Sequence, residues 1–217
     1  VIAERMMFSM QNSAQYTIHG YADATELLDY RKKLKSQGAN SKKWGAYSGI
    51  TISDLVHFAV SKILLDFPDI NSTIEEGKLT THDTVNLGFA VDTERGLMVP
   101  VIRGAEKLSL LELSERAKEL ASSCKEGKVN PNDLEGATFT VTNLGNLGVD
   151  FFTPIINPPQ VAILGVCSIR PRAVYTNEQE GVSFVPAIGL SLTADHRFVD
   201  GAPAARFLKA LSEAIGA

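Results

Sequence analysis

Apolar and polar positions alternate, cluster and recur along this chain in a way that predicts its elements one after another. From Val1 to Met10, apolar Ile2, Met6, Met7 and Met10 set against polar Glu4 and Arg5 predict a short amphipathic helix. Ala14 to Ala22 alternates as a strand through Tyr16, Ile18 and Tyr21. Asp23 and Glu26 then make a capping-box-like start, with an acid standing in for Ser or Thr, to a helix carrying Leu27, Leu28, Tyr30 and Leu34. That helix ends in Arg31, Lys32, Lys33 and Lys35, which complement its dipole. The stretch from Lys35 to Gly49 is rich in Ser, Gly, Lys and Asn and predicts a long loop. From Ser53 to about Phe67 the pattern is apolar on too many sides for a surface helix, and His57 inside it reads as a satisfied core histidine.

Leu79 to Thr81 and Val85 to Val91 read as strands, with Asp92 to Gly96 as the turn before Leu97 to Ile102. Ser109 and Glu112 form a full capping box for a helix through Leu113, Ala117, Leu120 and Ala121 that stops at Gly127. Thr138 to Thr142 is a strand, Asn143 to Gly148 a Gly-containing loop, and Ile155 to Pro159 a Pro-bearing segment. Val161 to Val166 and Val182 to Thr193 are strands with a turn near Asn177 to Gly181. Pro203 then suits the first turn of a last helix with Ala204, Phe207, Leu208, Leu211 and Ile215 on one face. Strands and helices mix without strict β-α-β alternation. The pattern predicts an α/β (α+β) single domain over 1–217, one mixed sheet flanked by helices.

The charge balance, 21 basic against 25 acidic residues, gives no broad electrostatic case for nucleic acid. Cys124 and Cys167 are far apart and in no metal spacing, which fits free thiols in a reducing compartment. With neither an apolar run of membrane-spanning length nor a signal peptide, the expected location is a bacterial cytoplasm or an organelle matrix. An initial Val1 followed at once by a helical pattern is expected of a fragment cut from a longer polypeptide. Dinucleotide-binding, P-loop and nucleophile-elbow signatures are missing, and His19, His57 and His82 lack partners at ligand spacing, so no metal is expected.

The remaining chemistry gathers in Asp195-His196-Arg197-Phe198-Val199-Asp200-Gly201, where the last strand hands over to the last helix. A histidine at such a junction is held by a packed element while its ring stays free to meet a substrate. This His-x-x-x-Asp-Gly segment resembles the signature of the dihydrolipoamide acyltransferases, the E2 cores of 2-oxoacid dehydrogenase complexes, and of the related chloramphenicol acetyltransferases. Four further stretches, in the family's order, resemble the first of these: Ile2-Ala3-Glu4-Arg5-Met6; Asp92 to Val101 (DTERGLMVPV); Gly136 to Gly145 (GATFTVTNLG); and Ile156 to Gly165 (INPPQVAILG).

The resemblance implies acyl transfer between the thiols of dihydrolipoamide and coenzyme A. A thiol of pKa near 8.5 is mostly protonated at neutral pH, and a neutral imidazole of pKa about 6.5 can take its proton during attack. His196 is then the base, and Thr142, standing where the family carries serine, the donor to the tetrahedral oxyanion. Asp200 would support the histidine loop through an arginine near the start, for which Arg5 is the candidate. For coenzyme A the resemblance points to Arg31, Ser53, Asp92, Thr142, Asn143 and Ser168. It further implies a homotrimer with active sites between neighbours, so that His196 and Thr142 meet across an interface, and a 24- or 60-subunit core. The lipoyl group, and the binding of the E1 and E3 components, would reside on lipoyl and peripheral subunit-binding domains that these residues do not contain. Acetyl transfer in a pyruvate or acetoin complex is the leading expectation, with branched-chain acyl or succinyl transfer second. A small-acceptor enzyme like chloramphenicol acetyltransferase and a catalytically silent scaffold are the competing readings.

Overall fold

The computed structural model describes residues 2–39, 44–177 and 181–217. Helix α1 (Ile2–Gln11) leads into strand β1 (Gln15–Asp23) and helix α2 (Thr25–Ala39). Asp23 holds the entry to α2 by accepting hydrogen bonds from the Thr25 amide at 2.8 Å and hydroxyl at 2.6 Å. The helix runs into the expected Lys35–Gly49 loop because its far end packs on a 3₁₀ turn at Gly45–Gly49. A Cβ on Gly38 would come within 2.7 Å of the Ser48 side chain, so only glycine allows that approach. Residues 40–43 of the stretch lie outside the described residues.

Helix α3 (Ile52–Ile63) opens on a capping box in which the Thr51 hydroxyl accepts from the Asp54 amide and the Asp54 carboxylate from the Thr51 amide. The same carboxylate accepts from the Ser114 hydroxyl at 2.9 Å, tying α3 to helix α4 (Leu110–Glu126). The box at Ser109 and Glu112 is present as expected, and Gly127 ends α4 at φ +69°. Losing that cap in Ser109→Ala should lower Tm by about 2–4 °C, read by calorimetry with activity unaffected.

Between α3 and α4 the chain forms β2 (Ser72–Glu75), β3 (Lys78–Thr81), β4 (Leu87–Phe89), β5 (Val91–Thr93), β6 (Gly96–Met98) and β7 (Val101–Ile102). The strand expected over Val85 to Val91 breaks at Ala90: β4 stays in the main sheet, while β5 pairs with β6 as a separate hairpin. Then come β8 (Phe139–Asn143), β9 (Ala162–Asn177), β10 (Gly181–Asp195) and α5 (Gly201–Ile215). The six-stranded sheet has the order β1-β10-β9-β8-β4-β7, with β8 parallel to both β4 and β9 and the other pairs antiparallel. β9 and β10 outrun their expected lengths because their pairing continues past the core, with Pro171 opposite Pro186.

Helix α5 packs on β1 and β10, and α3 on α5 and α4. A Cβ on Gly20 would lie 3.1 Å from Leu208, so the bare backbone of β1 sets how closely α5 sits. Phe207 is fully buried between Phe67 and Phe139, with centroids 5.4 and 5.8 Å away. Among the described residues, no helix is long and apolar enough to cross a membrane.

Candidate active site

β10 ends on Asp195, whose side chain is buried at the top of the sheet. Its carboxylate accepts from the amides of Ala14 (3.2 Å) and Arg197 (3.1 Å). The Arg197 guanidinium adds Nε at 3.0 and 3.1 Å and Nη2 at 2.6 Å. Burial pushes this carboxyl's pKa up, but the hydrogen bonds from Arg197 and Ala14 together outweigh it and hold the group below its ordinary range. His196, between these two residues, donates its amide to the Ala14 carbonyl at 2.9 Å. The Tyr16 ring lies against the imidazole at 4.8 Å, and its hydroxyl donates to the Val199 carbonyl at 3.1 Å. Burial, then the nearby Asp200 charge, raises the Tyr16 pKa, so this hydroxyl stays a donor.

Asp200 is the N-cap of α5 but makes no side-chain cap bond; its Oδ1 faces His196 Nδ1 at 3.6 Å. That neighbour favours the tautomer with the proton on Nδ1, leaving Nε2 with a lone pair on a half-exposed ring. The expected pairing of Asp200 with Arg5 does not occur within the chain. Arg5 instead donates from Nη2 to the Pro158 carbonyl at 2.8 Å, because α1 runs past the Pro158-Pro159 segment. The loop is held by Asp195 and Arg197, which the sequence reading passed over; the visible signal was an acid and an arginine bracketing the histidine.

Asp195 has its pKa depressed by folding, so its contribution is complete above the unfolded value of about 3.9 and fades as pH falls through the lower folded value. Asp195→Asn should therefore be less stable than the parent at pH 7, and the gap should narrow as the pH falls below the unfolded value of about 3.9. Denaturant midpoints across that range test this.

A second centre lies at the start of α3, a cleft of about 350 Å³ walled by β8, β5 and α4. Ser53, Asp92 and Asn143, three of the residues expected around coenzyme A, line it together. Asn143 donates to the Ser53 hydroxyl at 3.0 Å and accepts from the Gly145 amide at 2.8 Å, so its amide is fixed in orientation. His57 also lines the cleft, with 7% exposure. Burial lowers its pKa to about 4, opposed only in part by Asp54. It is buried as expected but not satisfied, since Nδ1 has no hydrogen-bond partner.

Arg31 and Ser168 lie outside that cleft. Arg31 is half-buried on α2, and the Ser168 hydroxyl clamps the loop after β8 by donating to the carbonyls of Val149 (2.9 Å) and Gly145 (3.2 Å). Thr142 sits between Val141 and Asn143 on β8, half-buried, its hydroxyl without a hydrogen bond among the described residues. Thr142 pairs with Gly165 and Gly165 with Ser191, so His196 lies two strands over and five residues along. At sheet spacings that is about 20 Å. One chain does not bring the two together.

A mixed sheet flanked by helices is a fold shared with a chloramphenicol acetyltransferase. That solved chain matches with a TM-score of 0.61 and 13% identity over 98% of this chain and 94% of its own, a likeness of fold alone. The chain belongs to the 2-oxoacid dehydrogenases acyltransferase (catalytic domain) family, whose model matches residues 1–217.

Among its relatives, the dihydrolipoyllysine-residue acetyltransferase component of the acetoin cleaving system of Bacillus subtilis is 45% identical over 97% of this chain and 52% of its own length. The corresponding pyruvate dehydrogenase component of Cupriavidus necator is 40% identical over 88% of this chain and 33% of its own. The chain thus spans from a third to about half of these relatives. A solved Azotobacter vinelandii dihydrolipoamide acetyltransferase matches with a TM-score of 0.90 and 36% identity over 99% of this chain and 86% of its own. That protein was investigated for the role of a serine, a histidine and an asparagine in its catalytic mechanism, the last two four residues apart.

Proposed function

We propose that this domain transfers an acetyl group between dihydrolipoamide and coenzyme A. The observation that carries the reading is His196, a half-exposed ring set against Tyr16 with Nδ1 toward Asp200. The spacing of His196 and Asp200 equals that of the histidine and asparagine investigated in the Azotobacter relative, whose serine stands fifty-two residues before its histidine. Thr142 stands fifty-four before His196, two residues further.

In the forward direction Nε2 of His196 takes the proton of the coenzyme A thiol as its sulfur attacks the thioester carbonyl of acetyl-dihydrolipoamide. The carbonyl becomes a tetrahedral oxyanion that accepts a hydrogen bond from Thr142. Its collapse breaks the original carbon–sulfur bond, and the imidazolium returns the proton to the departing dihydrolipoamide sulfur. Asp200, beside Nδ1, keeps the ring oriented through both steps. Because one chain holds His196 and Thr142 about 20 Å apart, the working site takes its histidine from one copy and its threonine from the next. Ser53, Asp92 and Asn143 belong with coenzyme A, Asp92 as a positioning or gating group, since a carboxylate does not attract phosphate.

This reading makes the domain a trimer within a hollow core. A solved relative, the cubic core of the pyruvate dehydrogenase multienzyme complex, matches with a TM-score of 0.90 and supports it. Lipoyl domains would supply the acyl group and peripheral segments would recruit the other components, in keeping with the greater length of the curated relatives. Acetyl is the acyl group because both relatives named above are acetyltransferases; transfer of branched-chain acyl or succinyl groups is the alternative. Following thioester formation from acetyl-coenzyme A and dihydrolipoamide, then from longer acyl-coenzyme A donors, tests both parts. No transfer from any donor by folded, assembled protein would leave the scaffold and small-acceptor readings.

A further inference from the structure

His196 acts through the direction of one nitrogen, Nε2, so whatever fixes its ring decides how often the base is ready. The ring is half-exposed and stands just past the end of β10. Asp200 meets Nδ1 across 3.6 Å, wider than a hydrogen bond, and its side chain is 80% exposed to water. A contact that open sets a preference without stopping rotation. An imidazole side chain has about six combinations of χ1 and χ2 to choose among, and Asp200 alone does not reduce them to one.

The second contact on the ring is Tyr16. Its ring centroid lies 4.8 Å from that of the imidazole, with 53° between the planes, within the range of distances that aromatic pairs favour. Tyr16 is itself immobilised from backbone to hydroxyl. It pairs with Ala194 in the β1–β10 ladder, its ring packs on the main core, and its hydroxyl donates to the Val199 carbonyl at 3.1 Å. That last bond closes a frame around the histidine. The Ala14 carbonyl takes the His196 amide at 2.9 Å, and the Phe198 and Val199 amides turn back to the Asp195 carbonyl at 3.0 and 2.9 Å. The loop backbone is thus held by β1 on one side and by its own turn on the other. The Tyr16 ring carries that rigidity from the core to the imidazole plane. Burial, then the Asp200 charge, raises the pKa of the hydroxyl, so the latch keeps its proton throughout the neutral range.

We propose that Tyr16 is a positioning residue of the transferase: its ring fixes the plane of the His196 imidazole, and its hydroxyl, latched to Val199, fixes the ring. The assignment rests on the acetyl-transfer reading above and adds to it the residue that pre-sets the base. Asp200 selects which nitrogen carries the proton, and Tyr16 keeps the other aimed at the approaching thiol. Because Tyr16 acts through His196 and not on the substrates, losing its ring costs rate and not binding.

The test compares, in the assembled protein, Tyr16→Phe, which keeps the ring and deletes the latch, with Tyr16→Leu, which keeps an apolar side chain and deletes the ring. Tyr16→Met serves as the ring deletion should the leucine variant not assemble. Tyr16→Leu is expected to lower kcat for acetyl transfer by about tenfold or more, with KM for coenzyme A and for dihydrolipoamide moving less than about twofold. Tyr16→Phe should recover kcat to within about threefold of the parent. A leucine variant within about twofold of the parent, a phenylalanine variant as slow as leucine, or a rise in KM at unchanged kcat would overturn the assignment and leave the transferase reading standing. Long-range proton–nitrogen correlation spectra of isotope-labelled histidine, with the His196 signal identified by its loss in His196→Ala, read the ring directly. The parent and Tyr16→Phe should show one neutral tautomer, protonated on Nδ1, and Tyr16→Leu the averaged shifts of both. The same single tautomer in all three would overturn the assignment even where kcat falls. Averaging confined to the ring deletion upholds it even if the parent transfers to no acceptor, in which case the transferase reading alone fails.

Discussion

Replacing His196 by alanine is expected to lower kcat for acetyl transfer by about 10³–10⁴-fold while leaving KM for coenzyme A nearly unchanged. Among the described residues, Asp200 is the acid that faces the ring, its oxygen 3.6 Å from Nδ1, on the side away from Nε2. The Tyr16 hydroxyl is spent on the Val199 carbonyl and is a weaker acid than usual. Residual activity should rise with pH as more of the attacking thiol ionises unaided, so the pH–rate profile of the variant separates loss of the base from loss of the loop. A variant whose kcat falls less than tenfold would remove His196 from the base role.

Thr142→Val, which keeps the branched shape and deletes the hydroxyl, should lower kcat by about 10²–10³-fold with little change in KM, because the missing hydrogen bond forms only in the transition state. Thr142→Ser tests the other half of the side chain. The Thr142 hydroxyl has no partner to hold it among the described residues, and its γ-methyl limits χ1, so threonine fixes the donor's direction where serine would leave it free to rotate. Serine should therefore support transfer within about tenfold of threonine. Valine as active as threonine would take the oxyanion role from this position.

The alternation and spacing of apolar residues made most elements legible. Helix α4 could be read from Ser109 and Glu112 at one end and Gly127 at the other, and both caps form as written. Less was visible where tertiary pairing overrode local pattern. β2 was not expected, because Ser72 and Thr73 carry no apolar alternation and are buried by pairing with Thr81 and Thr80. The strand over Val85 to Val91 gave no local sign that it would break at Ala90 and send β5 into its own hairpin.

At the site, His196, Thr142, Ser53, Asp92 and Asn143 came from motif resemblance. What the motifs did not carry was arrangement. Arg5 went to the Pro158 carbonyl and Ser168 to two loop carbonyls. Asp195 and Arg197 proved to be the pair that holds the loop, although they were in plain view beside the histidine. His57, read as a satisfied core residue, keeps an unpartnered nitrogen, because satisfaction depends on neighbours that no spacing reveals.

The gap between Thr142 and His196 within one chain has a genetic consequence. If each catalytic centre borrows its threonine from an adjoining polypeptide, two inactive alleles, one lacking the imidazole and the other the hydroxyl, are not equally dead when co-expressed. Random mixing in equal amounts brings an intact imidazole beside an intact hydroxyl at about one junction in four, so heterozygous assemblies regain activity that neither parent possesses. A chain carrying both lesions can rescue nothing, and it silences the junctions it shares with healthy neighbours.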